Sequence, residues 1–93
     1  MRLIYRQHAI KRMFERSITP NDIVEALSNG RKIEEYPNDT PYPSYLWLGF
    51  SGSRPIHVVI ADNWEDDERI IITVYEPNTA QWADKFTKRL KQP

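Results

Sequence analysis

Apolar positions recur at helical spacing from Gln7 onward. Ala9 and Met13 lie four apart, as do Ile10 and Phe14, and the two pairs adjoin in one apolar stripe. His8, Arg12, Glu15 and Arg16 fall outside the stripe, and the pattern predicts a helix over Gln7–Arg16 that stops at Ser17. A second helix is predicted to start at Thr19-Pro20-Asn21-Asp22. Thr19 suits the N-cap, Pro20 the first helical position, and Asp22 the positive end of the helix dipole. Ile23, Val24 and Leu27 form its buried stripe. Asn29-Gly30 ends it, with Gly30 expected in the left-handed conformation.

After Gly30 the period drops from about 3.6 to about 2. Strands are predicted at Lys32–Tyr36, Tyr45–Phe50, Ile56–Ala61 and Arg69–Glu76. A stiff loop from Pro37 to Pro43, a tight turn at Ser51-Gly52-Ser53 and an acidic turn from Asp62 to Glu68 separate them. Alternation points Leu46, Leu48, Phe50, Ile56, Val58, Ile60, Ile70, Ile72 and Val74 toward the helices, and Tyr45, Trp47, His57, Thr73 and Tyr75 away. Trp82, Phe86 and Leu90 at fourfold spacing predict a final helix capped by Asn78 or Thr79. The expected architecture is α+β in one domain, residues 1–93: two N-terminal helices packed on a four-stranded, mostly antiparallel sheet, with a C-terminal helix. Its expected core is Met13, Ile23, Leu27, Leu46, Leu48, Ile56, Val58, Ile72, Val74 and Phe86.

Forty per cent apolar residues argue for a folded chain, and the absence of cysteine excludes disulfides, thiolate metal sites and cysteine catalysis. The apolar runs Tyr45–Leu48 and Val58–Ala61 are too short to span a membrane, and Met1-Arg2-Leu3-Ile4 does not open a signal peptide. A cytoplasmic protein with no membrane partner is the expectation. The net charge of zero conceals an uneven distribution. Residues 1–32 carry seven bases against three acids (+4), residues 33–79 two against nine (−7), and residues 80–93 four against one (+3). This pattern fits either a mixed solvated surface or a basic face for an anionic polymer.

Two groups of residues carry possible chemistry. His8 and Arg12 stand one helical turn apart and Arg16 continues the row, which has no apolar member. On the sheet, alternation gathers His57, Thr73 and Tyr75 on one face with Tyr45 and Trp47 beside them. Such residues also occur as exposed strand residues chosen for β propensity, and His57 equally suits a satisfied structural histidine. Two histidines without patterned carboxylates offer no convincing metal set.

The blocks Gln7-His8-Ala9-Ile10-Lys11-Arg12-Met13-Phe14-Glu15-Arg16, Arg54-Pro55-Ile56-His57-Val58-Val59 and Ile72-Thr73-Val74-Tyr75-Glu76-Pro77 resemble an uncharacterised bacterial family, domain of unknown function 4258, over roughly residues 5–82. The resemblance implies a RelE-like domain, in the superfamily that also holds barnase and the colicin nucleases. It further implies a ribonuclease toxin that needs no cofactor, acts on RNA or the ribosome, and is paired with a cognate antitoxin, such as an MqsA-type zinc-finger protein. On that footing His8 and His57 would supply acid and base, Arg12 would stabilise phosphorane charge, and Tyr75 would orient phosphate or share the proton transfer. Arg16 would share that charge stabilisation with Arg12, Arg16 and Thr73 would stand at the edge of the substrate cleft, and Tyr45 or Trp47 would stack a base. A non-catalytic RelE-like module that binds protein or nucleic acid remains the alternative.

Overall fold

The computed structural model describes residues 1–90. Its elements are β1 (Arg2–Tyr5), α1 (Gln7–Arg16), α2 (Pro20–Asn29), β2 (Arg31–Tyr36), β3 (Ser44–Ser51), β4 (Arg54–Asn63), β5 (Glu68–Tyr75), β6 (Trp82–Ala83) and β7 (Lys88–Arg89). The main sheet has five strands in the order β1-β5-β4-β3-β2, with β1 parallel to β5 and every other pair antiparallel. β6 and β7 pair as a separate small hairpin.

Local chemistry accounts for the helix ends. Thr19 accepts from the Asp22 backbone N–H at 3.1 Å while the Asp22 carboxylate accepts from the Thr19 N–H at 2.8 Å, a reciprocal capping box. Ser17 closes α1 in the left-handed region at φ 54°, which lets Ile18 N–H reach the Met13 carbonyl at 2.9 Å. Arg54, at the start of β4, donates to the carbonyls of Arg16 and Ser17 and pairs with Glu76. A cation thus satisfies the orphan carbonyls at the negative end of α1 and ties the helix to the sheet.

Ala9, Met13, Ile18, Ile23 and Ala26 of the helical layer bury against Tyr45, Ile56, Val58, Ile60, Ile71 and Val74 of one sheet face. α2 lies almost on the backbone of β3. A Cβ added at Gly49 would stand 2.0 Å from the Ala26 carbonyl oxygen. Gly49→Ala should therefore lower stability by about 1–3 kcal/mol, the usual penalty for overpacking, read as a lower urea midpoint at unchanged m-value.

Several expectations are corrected. The sheet has five strands, not four, because Arg2–Tyr5 adds a parallel edge strand to residues 68–71 of β5. Four residues are too few to show a period, and this strand draws its stability from distant backbone partners. There is no C-terminal helix among the described residues. Leu90 N–H donates to the Gln81 carbonyl at 2.8 Å, whereas a helix would require the Phe86 carbonyl as its acceptor. That carbonyl is instead bonded to His57, and the chain turns back through Asp84, Lys85 and Phe86 at φ 51°, 55° and 71°. Gly30 is extended rather than left-handed, at φ −109° and ψ −164°. Its small size is what counts, since a Cβ there would lie 2.1 Å from the Leu48 carbonyl oxygen. Of the apolar stripe of α1 only Ala9 and Met13 are buried, and Ile10 and Phe14 are exposed, as is Val24 in α2.

The alternation is also corrected. The register between β4 and β5 shifts at Val59/Ile60, so Val58 faces Val74 and Ile60 faces Ile71, leaving Ile72 as the extra residue. The helix side of β5 is therefore Ile71 and Val74, not 70, 72 and 74. On β3, Tyr45 pairs with Ile60 and Trp47 with Val58, which places both aromatics on the helix side. Leu46 and Leu48 are buried on the opposite face, and Ile72 and Phe86 are only half-buried, so these four are not part of the helix-side core.

Candidate functional site

β1 covers only residues 68–71 of β5, so α1 can lie along the remainder of that strand. The helix face opposite Lys11 packs inward through Ala9 and Met13. Its basic flank, His8, Arg12 and Arg16, overhangs the outer face of the sheet. These three residues, Thr73 and Tyr75 of β5, Tyr36 of β2 and Trp82 and Arg89 of the hairpin surround a cleft of about 530 Å³. Five of the eight residues singled out from the sequence therefore share one cleft: His8, Arg12, Arg16, Thr73 and Tyr75.

The other three sit elsewhere. Tyr45 donates its hydroxyl to Asp62 at 2.9 Å on the helix side, where Arg69 also binds Asp62 at 3.0 Å. Burial, reinforced by Asp62, pushes the Tyr45 phenol up to about 12. Trp47 donates its indole N–H to the Ala26 carbonyl at 2.9 Å and packs against the core. Neither ring can reach a ligand in the cleft, because the regular pairing of β3 with β4 sets Tyr45 and Trp47 beside the helix-side residues Ile60 and Val58, the opposite parity from the expected one. His57 is on the expected face but wholly buried. Its Nε2 lies 2.8 Å from the Phe86 carbonyl and its Nδ1 3.2 Å from the Tyr75 hydroxyl. A carbonyl only accepts, so Nε2 carries the hydrogen and Nδ1 accepts from Tyr75. Trp82 closes the top of the ring edge-on at 4.3 Å between centroids. Loss of water around the ring lowers the His57 pKa, against an opposing effect of the Phe86 bond.

Electrostatically the cleft is cationic because its carboxylates are occupied. Glu76 is held by Arg54. Glu34, below the rim, accepts the Tyr36 hydroxyl at 2.8 Å and stands 4.0 Å from Arg89. The Tyr36 phenol is pushed up to about 12, by burial first and then by Glu34. Arg89 lies over the Trp82 ring at 4.6 Å, a cation–π contact that leaves its edge free to donate. Arg12 has a long contact of 3.9 Å to Glu15, and Arg16 has no carboxylate within 4.0 Å among the described residues. Burial raises the Tyr75 phenol, which therefore stays protonated. The arrangement gathers guanidiniums able to pair with anionic oxygens, one exposed imidazole, and aromatic rings at the rim.

Tyr36, Trp82, Arg89 and Arg54 were not anticipated. The first three reach the cleft through strand pairing and the hairpin, for which sequence spacing carries no signal. Arg54, between the Gly52 turn and Pro55, was visible only as a lone cation entering an apolar strand. No group of three or more potential metal ligands occurs among the described residues, and none of the described helices is long and apolar enough to cross a membrane.

A family model described as Domain of unknown function (DUF4258) matches residues 5–76. No curated protein and no solved structure matches the chain.

Proposed function

We propose, from the premise that this chain belongs to the DUF4258 family, that the cleft beside α1 binds single-stranded RNA and that the domain is a RelE-like ribonuclease toxin. The observation that carries this reading is the convergence of three guanidiniums (Arg12, Arg16 and Arg89) and the His8 imidazole on one cleft floored by Thr73 and Tyr75. Arginine pairs bidentately with phosphate oxygens and stabilises the extra charge of a phosphorane.

In this reading His8 removes the proton from a 2′-hydroxyl. The 2′-oxygen attacks phosphorus, the bond to the 5′-oxygen breaks, and a 2′,3′-cyclic phosphate remains. The departing alkoxide takes a proton from the Tyr75 hydroxyl, a transfer that runs downhill because an alkoxide is far more basic than a phenolate. Solvent restores the Tyr75 proton, and His8 returns its own to water. His57 takes no direct part. It positions the Tyr75 oxygen by accepting its hydrogen at rest.

The test is incubation of the full chain with RNA in excess chelator. A fragment ending in a 2′,3′-cyclic phosphate is expected, with no cutting of DNA or of RNA carrying 2′-methoxy groups. Cleavage that requires added divalent metal, or cleavage of DNA, would refute the mechanism. The sealed position of His57 favours a second reading, a non-catalytic module that binds RNA without cutting it. Retention of RNA with no product at any enzyme concentration would select that reading. A cognate antitoxin of MqsA type, docking a basic surface on the acidic turn from Asp62 to Glu68, belongs to the same proposal, and co-purification from the native operon tests it.

A further inference from the structure

A second cavity lies on the same sheet face. It measures about 320 Å³ and is walled by Pro41 and Tyr42 of the loop after β2, by Ala61 of β4, and by Ile70 and Ile72 of β5. His8 lines this cavity as well as the cationic cleft. The two therefore meet at His8 and follow one strand, with Ile70 and Ile72 in the first and Thr73 and Tyr75 in the second. Ile72 shares the face of Ile70 by ordinary alternation, and the register shift between β4 and β5 brings Thr73 to that same face. From Ile70 to Tyr75 the strand rises about 17 Å, at roughly 3.3–3.4 Å per residue.

The two compartments differ in chemistry. The cleft presents Arg12, Arg16 and Arg89 around hydroxyls. The second cavity is walled mainly by apolar side chains and one half-buried phenol ring, with Arg6 and Asp39 cancelling in charge at its mouth. The Asp39 carboxylate is anchored by the Ser44 hydroxyl at 2.5 Å, which fixes an acceptor at the rim and repels phosphate. An apolar slot with an aromatic wall and one fixed acceptor fits the flat face and polar edge of a nucleobase.

We infer that the cavity under Pro41 and Tyr42 is a nucleobase subsite, which places the base of one nucleotide beside Tyr42 while the adjacent phosphate lies among Arg12, Arg16 and Arg89. This deepens the proposed RNA-binding function and rests on it. His8 then stands at the junction of base and phosphate, where a 2′-hydroxyl would lie.

The experiment measures binding of a non-cleavable, 5′-phosphorylated 2′-methoxy diadenylate and of its two analogues lacking one base each. Removing one base should weaken binding by about tenfold, within the range for stacking on an aromatic side chain, and removing the other should have a much smaller effect. Tyr42→Ala should abolish the difference between the intact dinucleotide and the sensitive analogue, while Tyr42→Phe keeps it. Tyr42 is a half-buried loop residue, so the fold should tolerate both changes. Arg12→Ala should weaken all three ligands alike. If the abasic analogues bind as tightly as the parent, or if Tyr42→Ala leaves the difference intact while Arg12→Ala weakens binding, the base subsite is overturned and the cationic cleft stands. If none of the three binds at low salt, the RNA reading falls and takes the subsite with it.

Discussion

Replacing His8 with alanine should slow RNA cleavage by about 10²–10⁴-fold, the usual consequence of losing a general acid or base. His8 is exposed on the first turn of α1 and makes no hydrogen bond or ion pair among the described residues, so the loss should appear in rate and not in stability. Arg12→Ala should depress the rate comparably by removing charge stabilisation, and should also flatten the salt dependence of RNA binding, because one fewer phosphate contact releases fewer counterions. The discriminating comparison is cleavage by wild type, His8→Ala and His8→Gln at equal concentration, with binding to uncleavable RNA measured in parallel. Equal cleavage by all three would remove His8 from the mechanism. Unchanged binding with lost cleavage would confirm its role as a proton carrier.

The second large effect concerns His57 and is structural. His57→Ala would leave the Phe86 carbonyl and the Tyr75 hydroxyl without their partner and open a void beneath Trp82. Large-to-small changes and unsatisfied buried groups together cost about 2–5 kcal/mol. That is a large share of the roughly 5–14 kcal/mol expected for a domain of this length. Hydrogen exchange in His57→Ala should show the hairpin of β6 and β7 opening before the sheet, since His57 bonds the Phe86 carbonyl and packs against Trp82. The pH dependence has a definite sign. Desolvation lowers the His57 pKa in the folded protein, so the unfolded chain binds more protons once pH drops below the ordinary histidine value of about 6.5. Stability from this group is complete above that pH. It declines as pH falls further, by at most about 1.4 kcal/mol per unit, until the folded-state pKa is reached. The groups facing the ring are the Tyr75 hydroxyl, the Phe86 carbonyl and the Trp82 indole, with Glu34 and Arg89 as the charges acting on it. His57→Gln should lose this component of the acid sensitivity while retaining part of the hydrogen bonding. A gap between the urea midpoints of wild type and His57→Gln that stays constant from about pH 7.5 to 5.5 would disprove the assignment.

The two histidines show how differently sequence spacing served different parts of this molecule. His8, Arg12 and Arg16 belong to one helix, and helical geometry alone places them in a row. The reciprocal cap at Thr19 and Asp22 and the two-residue turn between Ser51 and Arg54 are likewise local, set by bonds among neighbours in the chain. His57, Thr73 and Tyr75 share a face because alternation within a strand is strict, but one bulge at Ile72 was enough to reverse the parity of the lower half of β5. No signal in the chain marks that bulge, which arises from the pairing of β4 with β5. The placement of Tyr45 and Trp47 failed for a related reason. Both faces of this sheet are covered, so Leu46, Leu48 and the aromatics between them are all apolar enough to be buried, and alternation could not say which side the helices take. The C-terminal segment has the apolar spacing of a helix, yet it forms a hairpin in which His57 bonds the Phe86 carbonyl that a helix would need and Leu90 bonds back to Gln81. Local spacing thus determined the two helices, most of the strands and the cationic row. Tertiary contacts decided the parallel edge strand, the polarity of the faces, the burial of His57 and the hairpin that brings Arg89 to the cleft, because each depends on a partner far away in the chain.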